Sequence, residues 1–384
     1  MHRFALIKHA VMKLAIFEAF TPELREIWGA LEVSSQHDVF QSFGWVSAWH
    51  KTVGASVISI RPWVAVVVDF DDSPRLIFPL GIRRKLGARI LEFMGGAQSD
   101  YLGPLLHDQW SARSDLLRSA WELVEAELPA HDVRHFCKLS ALGGARGNPW
   151  LQIWKCAWQD SSHALYLPGS TEELQARLRT KLKSDNKRQR RRLSEKGRLT
   201  FEIVTAGEKW QEGVDAMIAQ KRQRYQSTGV PDALATPAVR EFYRNLGPEF
   251  LHGGQIHLSL LRLNEEILAT HWGAVYRDRF YFLMPTYSSG PWETYSPGRL
   301  LLENLLEWAI ASRLSVFDFT IGGEEYKKDW CDHETAVYRH HRLITPLGLA
   351  CFAYLSLKCW ARRNDHCWAA VRTVYAWIPQ SWRR

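Results

Sequence analysis

The run QIHLSLLRLNEEILATHWGAVYRDRFYFLMPTYSSGPWETYSPGRLLLENLLEWAIASRLSVFDFTI, residues 255–321, decides how this chain folds. Ile256 to Leu263, Ile267 to Tyr276 and Phe280 to Tyr287 are rich in β-formers, and polar turns at Asn264 to Glu266 and Arg277 to Arg279 separate them. That pattern predicts an antiparallel meander. A loop of Ser, Gly and Pro leads into Pro297 to Arg313, whose apolar residues recur at helical spacing, and then into a short strand, Ser315 to Ile321. Strand, crossover helix and strand imply a parallel pair. A short helix and a last strand complete the run to Thr345.

The helix start carries the chemistry of this region. In Ser296-Pro297-Gly298-Arg299, serine is a favoured N-cap, proline is preorganised for the first helical position, and Gly298 lets a ligand approach the free N–H groups of the first turn. Those donors and the helix dipole suit a pyrophosphate, and Arg299 adds a charged fork. Ser-Pro also simply begins a helix well, so the residues leave both readings open.

YSPGRLLLENLLEWAI (295–310) and FDFTIGGEEYKKDW (317–330), with FMGGAQSDYLGPLL (93–106) and FQSFGWVSAW (40–49), are similar to the CelD/BcsL-type acetyltransferases. That family is related to the FemAB peptidyltransferases within the GNAT superfamily. The resemblance touches most of residues 12–345. It implies an α/β fold (α+β, mixed sheet) of two tandem GNAT-like domains, the C-terminal one more complete, plus a helical tail. It also implies an acyl-CoA donor, acetyl-CoA above all, with its pantetheine arm between the parallel strands near Tyr287 and its pyrophosphate on Ser296, Pro297, Gly298 and Arg299. This loop departs from the Q/R-x-x-G-x-G/A motif of typical GNAT enzymes in having Pro297 and a single glycine.

Aminolysis of a thioester needs a deprotonated amine, and a carboxylate is the usual base. Alternation along Phe317-Asp318-Phe319 sends Asp318 to the face opposite the aromatics. Asp318 and Glu325 are therefore the candidate bases, with a structural carboxylate bonded to the Gly322-Gly323 turn as the competing account of Asp318. Tyr326 is a candidate to protonate the departing thiolate, and Lys327 to bind a phosphate or an acceptor carboxylate; a solvated helix face explains the same residues. His271, inside a strand, is either a substrate-lining or a core histidine. Asp100 and Tyr101, after a Gly-Gly pair, match the family's Asp-Tyr pair and are acceptor-binding candidates, with a structural turn cap as the alternative. No Cys or Ser stands in a nucleophile motif, so direct attack in a ternary complex is expected.

The 384 residues are 46% hydrophobic, enough for two packed cores. The expected division is 12–160, then 161–345 with a basic linker helix over 171–196, then a basic Trp-rich helical tail over 346–384. Residues 1–11, before Met12, are read as a dispensable extension or a misassigned start. In the first domain, Trp63 to Phe70, Arg75 to Leu80 and Arg89 to Phe93 read as strands. Six cysteines without a CxxC pair or a compact Cys/His cluster argue against a zinc site and for reduced thiols in cytoplasm. No stretch has the apolar core of a signal peptide or a bilayer span.

The net charge of +8 is uneven: Arg179 to Arg198 holds ten Lys or Arg against Asp185 and Glu195. A solvated helix accounts for this, as does an anionic ligand, and RNA is the third candidate. The tail from Leu347 mixes Trp, Tyr and Leu with Lys, Arg and a single acid, a composition suited to the inner face of a plasma membrane or to docking on its own protein. The expected function is transfer of an acyl group to an amine or hydroxyl of a glycan or amino-sugar precursor of the cell envelope or of an exopolysaccharide. A transferase using aminoacyl-tRNA and a non-catalytic binding protein of a polysaccharide-synthesis complex are the rivals.

Overall fold

The computed structural model describes residues 12–142, 147–247 and 250–363; the extension before Met12 and the tail beyond 363 lie outside them. Thirteen strands form one continuous sheet among the described residues. They are β1 (Lys13–Phe17), β2 (Arg61–Val68), β3 (Pro74–Lys85), β4 (Ala88–Phe93), β5 (Leu105–Leu106), β6 (Val133–Ser140), β7 (Cys156–Tyr166), β8 (Leu199–Val204), β9 (Gly254–Leu263), β10 (Glu266–Tyr276), β11 (Arg279–Tyr287), β12 (Val316–Ile321) and β13 (His333–Leu343). The spatial order is β1-β2-β3-β4-β6-β13-β7-β12-β11-β10-β9-β8, with the short β5 beside β3.

The order repeats about its middle because each half has the same plan: a strand, two helices, a three-stranded meander, a crossover helix and a parallel strand. In the first half the meander is β2-β3-β4 and the crossover Ser114–Ala126 returns the chain to β6, parallel to β4. In the second it is β9-β10-β11 and Pro297–Ala311 returns it to β12, parallel to β11. The meander expected from the sequence is present, with two-residue hairpin loops at Asn264-Glu265 and Arg277-Asp278. Asn264 (φ 52°) and Arg277 (φ 57°) take the left-handed conformation that such tight turns require.

The halves then trade strands. β7, which follows β6 in sequence, pairs with β12, while β13, which follows β12, pairs with β6, and the two pair with each other. The boundary read at 160/161 therefore falls inside a strand whose partners both lie beyond residue 315. One face of the sheet carries a shared core in which helices of both halves meet: Trp45 packs edge-on against Phe242 at 5.3 Å. The other face carries two separate cores, one under Ser114–Ala126 and one under Pro297–Ala311. The basic linker differs from the single expected helix. It breaks into Thr171–Arg177 and Thr180–Ser194 at Leu178, whose extended backbone (φ −73°, ψ 145°) lets its side chain bury beside Leu174.

Candidate functional site

The parallel pair β11–β12 is short. Arg279, Phe280 and Tyr281 pair with Val316, Phe317 and Asp318; beyond them the strands diverge. A bulge between Asp318 and Thr320, where Thr320 sits at φ 59°, turns β12 toward β7 and away from β11. The gap so opened is a pocket of about 410 Å³. That size lies within the usual range for small-molecule sites. Phe282, Thr286 and Tyr287 of β11 line it, with Ser296, Gly298, Arg299 and Leu302 of the crossover helix, Glu324, Tyr326 and Trp330 after β12, and Lys221 and Arg224 of the helix Glu208–Thr228. Apolar Phe282, Leu302 and Trp330 suit an uncharged arm, and the cations suit an anionic one.

The helix start differs in detail from its expected form. Pro297 takes a first-turn position, but Ser296 is left-handed (φ 53°, ψ 51°) and its side chain makes no capping bond. Gly298 lies close to Tyr287: a Cβ there would stand 3.0 Å from its ring, which would have to give by a few tenths of an ångström. The Arg299 guanidinium is paired with Asp185 of the basic helix, and that pairing holds the Asp185 carboxyl below its ordinary range. A phosphate at this helix start would share Arg299 with Asp185. Arg224 lies over the Tyr287 ring at 4.9 Å and donates to its hydroxyl.

Of the residues singled out from sequence, Tyr287, Ser296, Gly298, Arg299 and Tyr326 line this one pocket. Burial, then the charge of Glu324, raises the Tyr326 phenol well above its usual value, so it stays protonated. The remaining candidates are elsewhere. Asp318 is 1% exposed, accepts from Tyr101 Oη at 2.9 Å and the Thr320 backbone N–H at 2.8 Å, and pairs with Arg279 at 2.8 Å. Held by three donors and almost unexposed, Asp318 fits the structural account better than the general-base role expected of it. Tyr101, 4% exposed, is thus a bridge between the halves. Asp100 bonds the Thr320 side chain, and burial raises its carboxyl against the pull of Lys138. Neither lines the pocket beside β11; Asp100 is half-buried, and Tyr101 lines a separate small cavity with Leu102 and Ser140. Beside them Tyr281 Oη donates to Asp38 at 2.8 Å, and burial raises the Asp38 carboxyl despite nearby Arg279.

Lys327 is 2% exposed and donates to the carbonyls of Thr320, Ile321 and Gly322 at 3.1–3.3 Å, closing the end of β12 instead of meeting a phosphate. Glu325 points outward, paired with Lys328 at 2.8 Å, its side chain 85% exposed. Its neighbour Glu324 faces the pocket. Burial works to raise the Glu324 carboxyl, but Lys327, 2.9 Å away, outweighs this and holds it below the usual range. His271 is fully buried, stacked on Phe282 at 4.6 Å, and burial holds its imidazole neutral; it supports the pocket floor from behind.

Lys221, Arg224 and Glu324 were not anticipated as pocket residues. Burial, then Arg224, lowers the Lys221 ammonium against the pull of Glu324. Its only sequence signal is the three-residue spacing of Lys221 and Arg224, which puts both on one helix face. Arg299 also lines a second, open groove of about 740 Å³ with Arg179, Lys181 and Arg188. Among the described residues no cluster of three or more His, Cys, Asp or Glu could hold a metal.

Residues 180–328 match the family model described as acetyltransferase (GNAT) domain. The second half is GNAT-like. No curated protein matches the chain. Among solved structures, FemX superposes with a TM-score of 0.55 at 14% identity, covering 84% of this chain and 96% of that one. A protein of unknown function from Bacteroides thetaiotaomicron gives 0.53 at 13% identity over 84% and 98% of the two chains, and L-PGS from Bacillus licheniformis 0.50 at 10% identity over 86% and 95%. At such identities the likeness is one of fold.

Proposed function

We propose that this chain is an acyltransferase that holds acyl-CoA, acetyl-CoA above all, in the gap between β11 and β12. The acyl group passes to an amine or hydroxyl of a cell-envelope or exopolysaccharide precursor. The observation that supports it most is the parting of two parallel strands over a pocket with a crossover-helix start and the cations Lys221 and Arg224 at its rim. The thioester arm would lie along Phe282 and Leu302, with the pyrophosphate at Gly298 and Arg299. The acceptor attacks the thioester carbonyl, a C–N or C–O bond forms and the C–S bond breaks. Glu324, an ionised carboxylate facing the pocket, takes the acceptor's proton, Lys221 beside it orients the acceptor, and Tyr326 protonates the departing thiolate. This assigns to Glu324 the place expected of Glu325.

The groove of Arg179, Lys181 and Arg188, joined to the pocket through Arg299, favours a second reading in which an aminoacyl-tRNA is the donor. Calorimetric titration separates the two. Saturable acetyl-CoA binding weakened by Arg224→Ala supports the first. Absence of acetyl-CoA binding together with salt-dependent tRNA binding lost in Arg188→Ala replaces it with the second.

A further inference from the structure

The helix Pro346–Arg363 docks one side on the first half of the sheet. Cys351 is buried with its Sγ 3.5 Å from the Lys85 carbonyl, Phe352 stands edge-on to His341 at 5.0 Å, and a Cβ on Gly348 would meet the Asp132 carbonyl at 2.1 Å. The other side breaks the rule that a surface helix turns polar residues to water. Leu347, Leu349, Tyr354 and Leu357 are 47%, 56%, 44% and 60% exposed, and Ala350, Ala353 and Ser356 between them are exposed too. At about 100° per residue these positions form one continuous arc of roughly half the helix. A contiguous apolar face of this kind marks a contact surface.

Its surroundings are basic. The β3–β4 turn beside the helix exposes Leu86 (55%) after exposed Arg84 and Lys85, and Lys358 is near enough for its charge to act on Lys85. The acids of this region are already engaged: Asp132 with Arg89, Glu92 with Arg83, and Glu125 with Arg134 and Arg342.

We propose that this face is a docking surface for an anionic lipid bilayer, with Leu347, Leu349, Tyr354 and Leu357 entering the headgroup boundary and Arg84 and Lys85 meeting lipid phosphates. Charge selects this occupant over two others. Residues 364–384 contain Arg372, Arg383 and Arg384 against Asp365 alone, so folding them over the face would bring like charges together, as would a second copy of the chain. An anionic surface attracts both the rim and those residues. No described helix is long and apolar enough to cross a membrane, so the geometry is that of a helix lying on the bilayer.

The test is cosedimentation of the full chain with vesicles of phosphatidylcholine alone or mixed in equal parts with phosphatidylglycerol. Wild type is expected to sediment with the mixed vesicles, less so as salt rises. Leu349→Glu with Leu357→Glu should lower that affinity about tenfold or more, and Arg84→Glu with Lys85→Glu several-fold, with melting temperature unchanged because all four side chains are exposed. No binding of wild type to mixed vesicles, or equal binding by the Leu349→Glu/Leu357→Glu variant, overturns the proposal. A concentration-dependent dimer broken by that variant, without vesicle binding, overturns it in favour of a second copy. Acetyl-CoA binding in solution should be the same in all these variants, so this inference and the acyltransferase reading fail separately.

Discussion

β4 and β6 pair through Ile90 to Glu92 against Val133 to His135, and β11 and β12 through Arg279 to Tyr281 against Val316 to Asp318. The second strand of each pair then carries a non-glycine residue in the left-handed region, Lys138 at φ 56° and Thr320 at φ 59°, and each pair parts. What fills the gap differs. In the first half the chain turns at Gly95 (φ 133°) and comes back along β6, so that the Leu102 N–H bonds the Lys138 carbonyl at 2.9 Å and the Leu102 side chain is buried in the core. The second half leaves its gap open. The crossover helices differ likewise: Ser114–Ala126 has Asp115 in its first turn, which disfavours an anion, whereas Pro297–Ala311 has no acid there. The same topology used twice thus yields one plugged wedge and one with room for a ligand, and the plugged half carries Tyr101 and Asp100, which brace the bulge of the open one.

The largest expected effect tests that bracing. Asp318→Ala strips half-buried Arg279 and buried Tyr101 of their shared partner and should cost about 3 kcal/mol of stability, read by denaturant unfolding. A fully stable variant that has lost only turnover would instead make Asp318 catalytic. Leu102→Ala, which empties the plug, should cost about 3 kcal/mol and create no second donor site. Two acetyl-CoA molecules bound per chain would break the comparison. Next, Glu324→Gln should lower turnover about a hundredfold with acetyl-CoA affinity little changed, while Glu325→Gln, at an exposed ion pair, should leave both alone. The smallest effect is expected of Gly298→Ala. Its methyl must displace the Tyr287 ring, and acetyl-CoA affinity should fall by about threefold to tenfold, measured by calorimetry.

Much of the open half was legible in the sequence because local signals mark it: polar turns bound the strands of the meander, and Pro297 marks the helix start. Tyr287, Gly298 and Arg299 followed, since strand ends and helix starts meet wherever a crossover connects parallel strands. The exchange of β7 and β13 was not legible, because alternation along a strand records which face is buried and says nothing of which strand lies alongside. Lys221 and Arg224 were hidden in a long, polar helix in which several faces could have met the pocket. Glu324 and Glu325 are adjacent carboxylates, and only the tertiary position of Lys327 decides which turns inward. Asp318 was recognised as important, but its role depends on Tyr101 and Arg279, separated from it by 217 and 39 residues.

The most direct test of the open wedge is a crystal structure of the protein with bound CoA. The account predicts the pantetheine arm between β11 and β12, its thiol end near Tyr326 and its pyrophosphate at Gly298. Nucleotide density confined to the Arg179–Arg188 groove, or lying between β4 and β6, would contradict it.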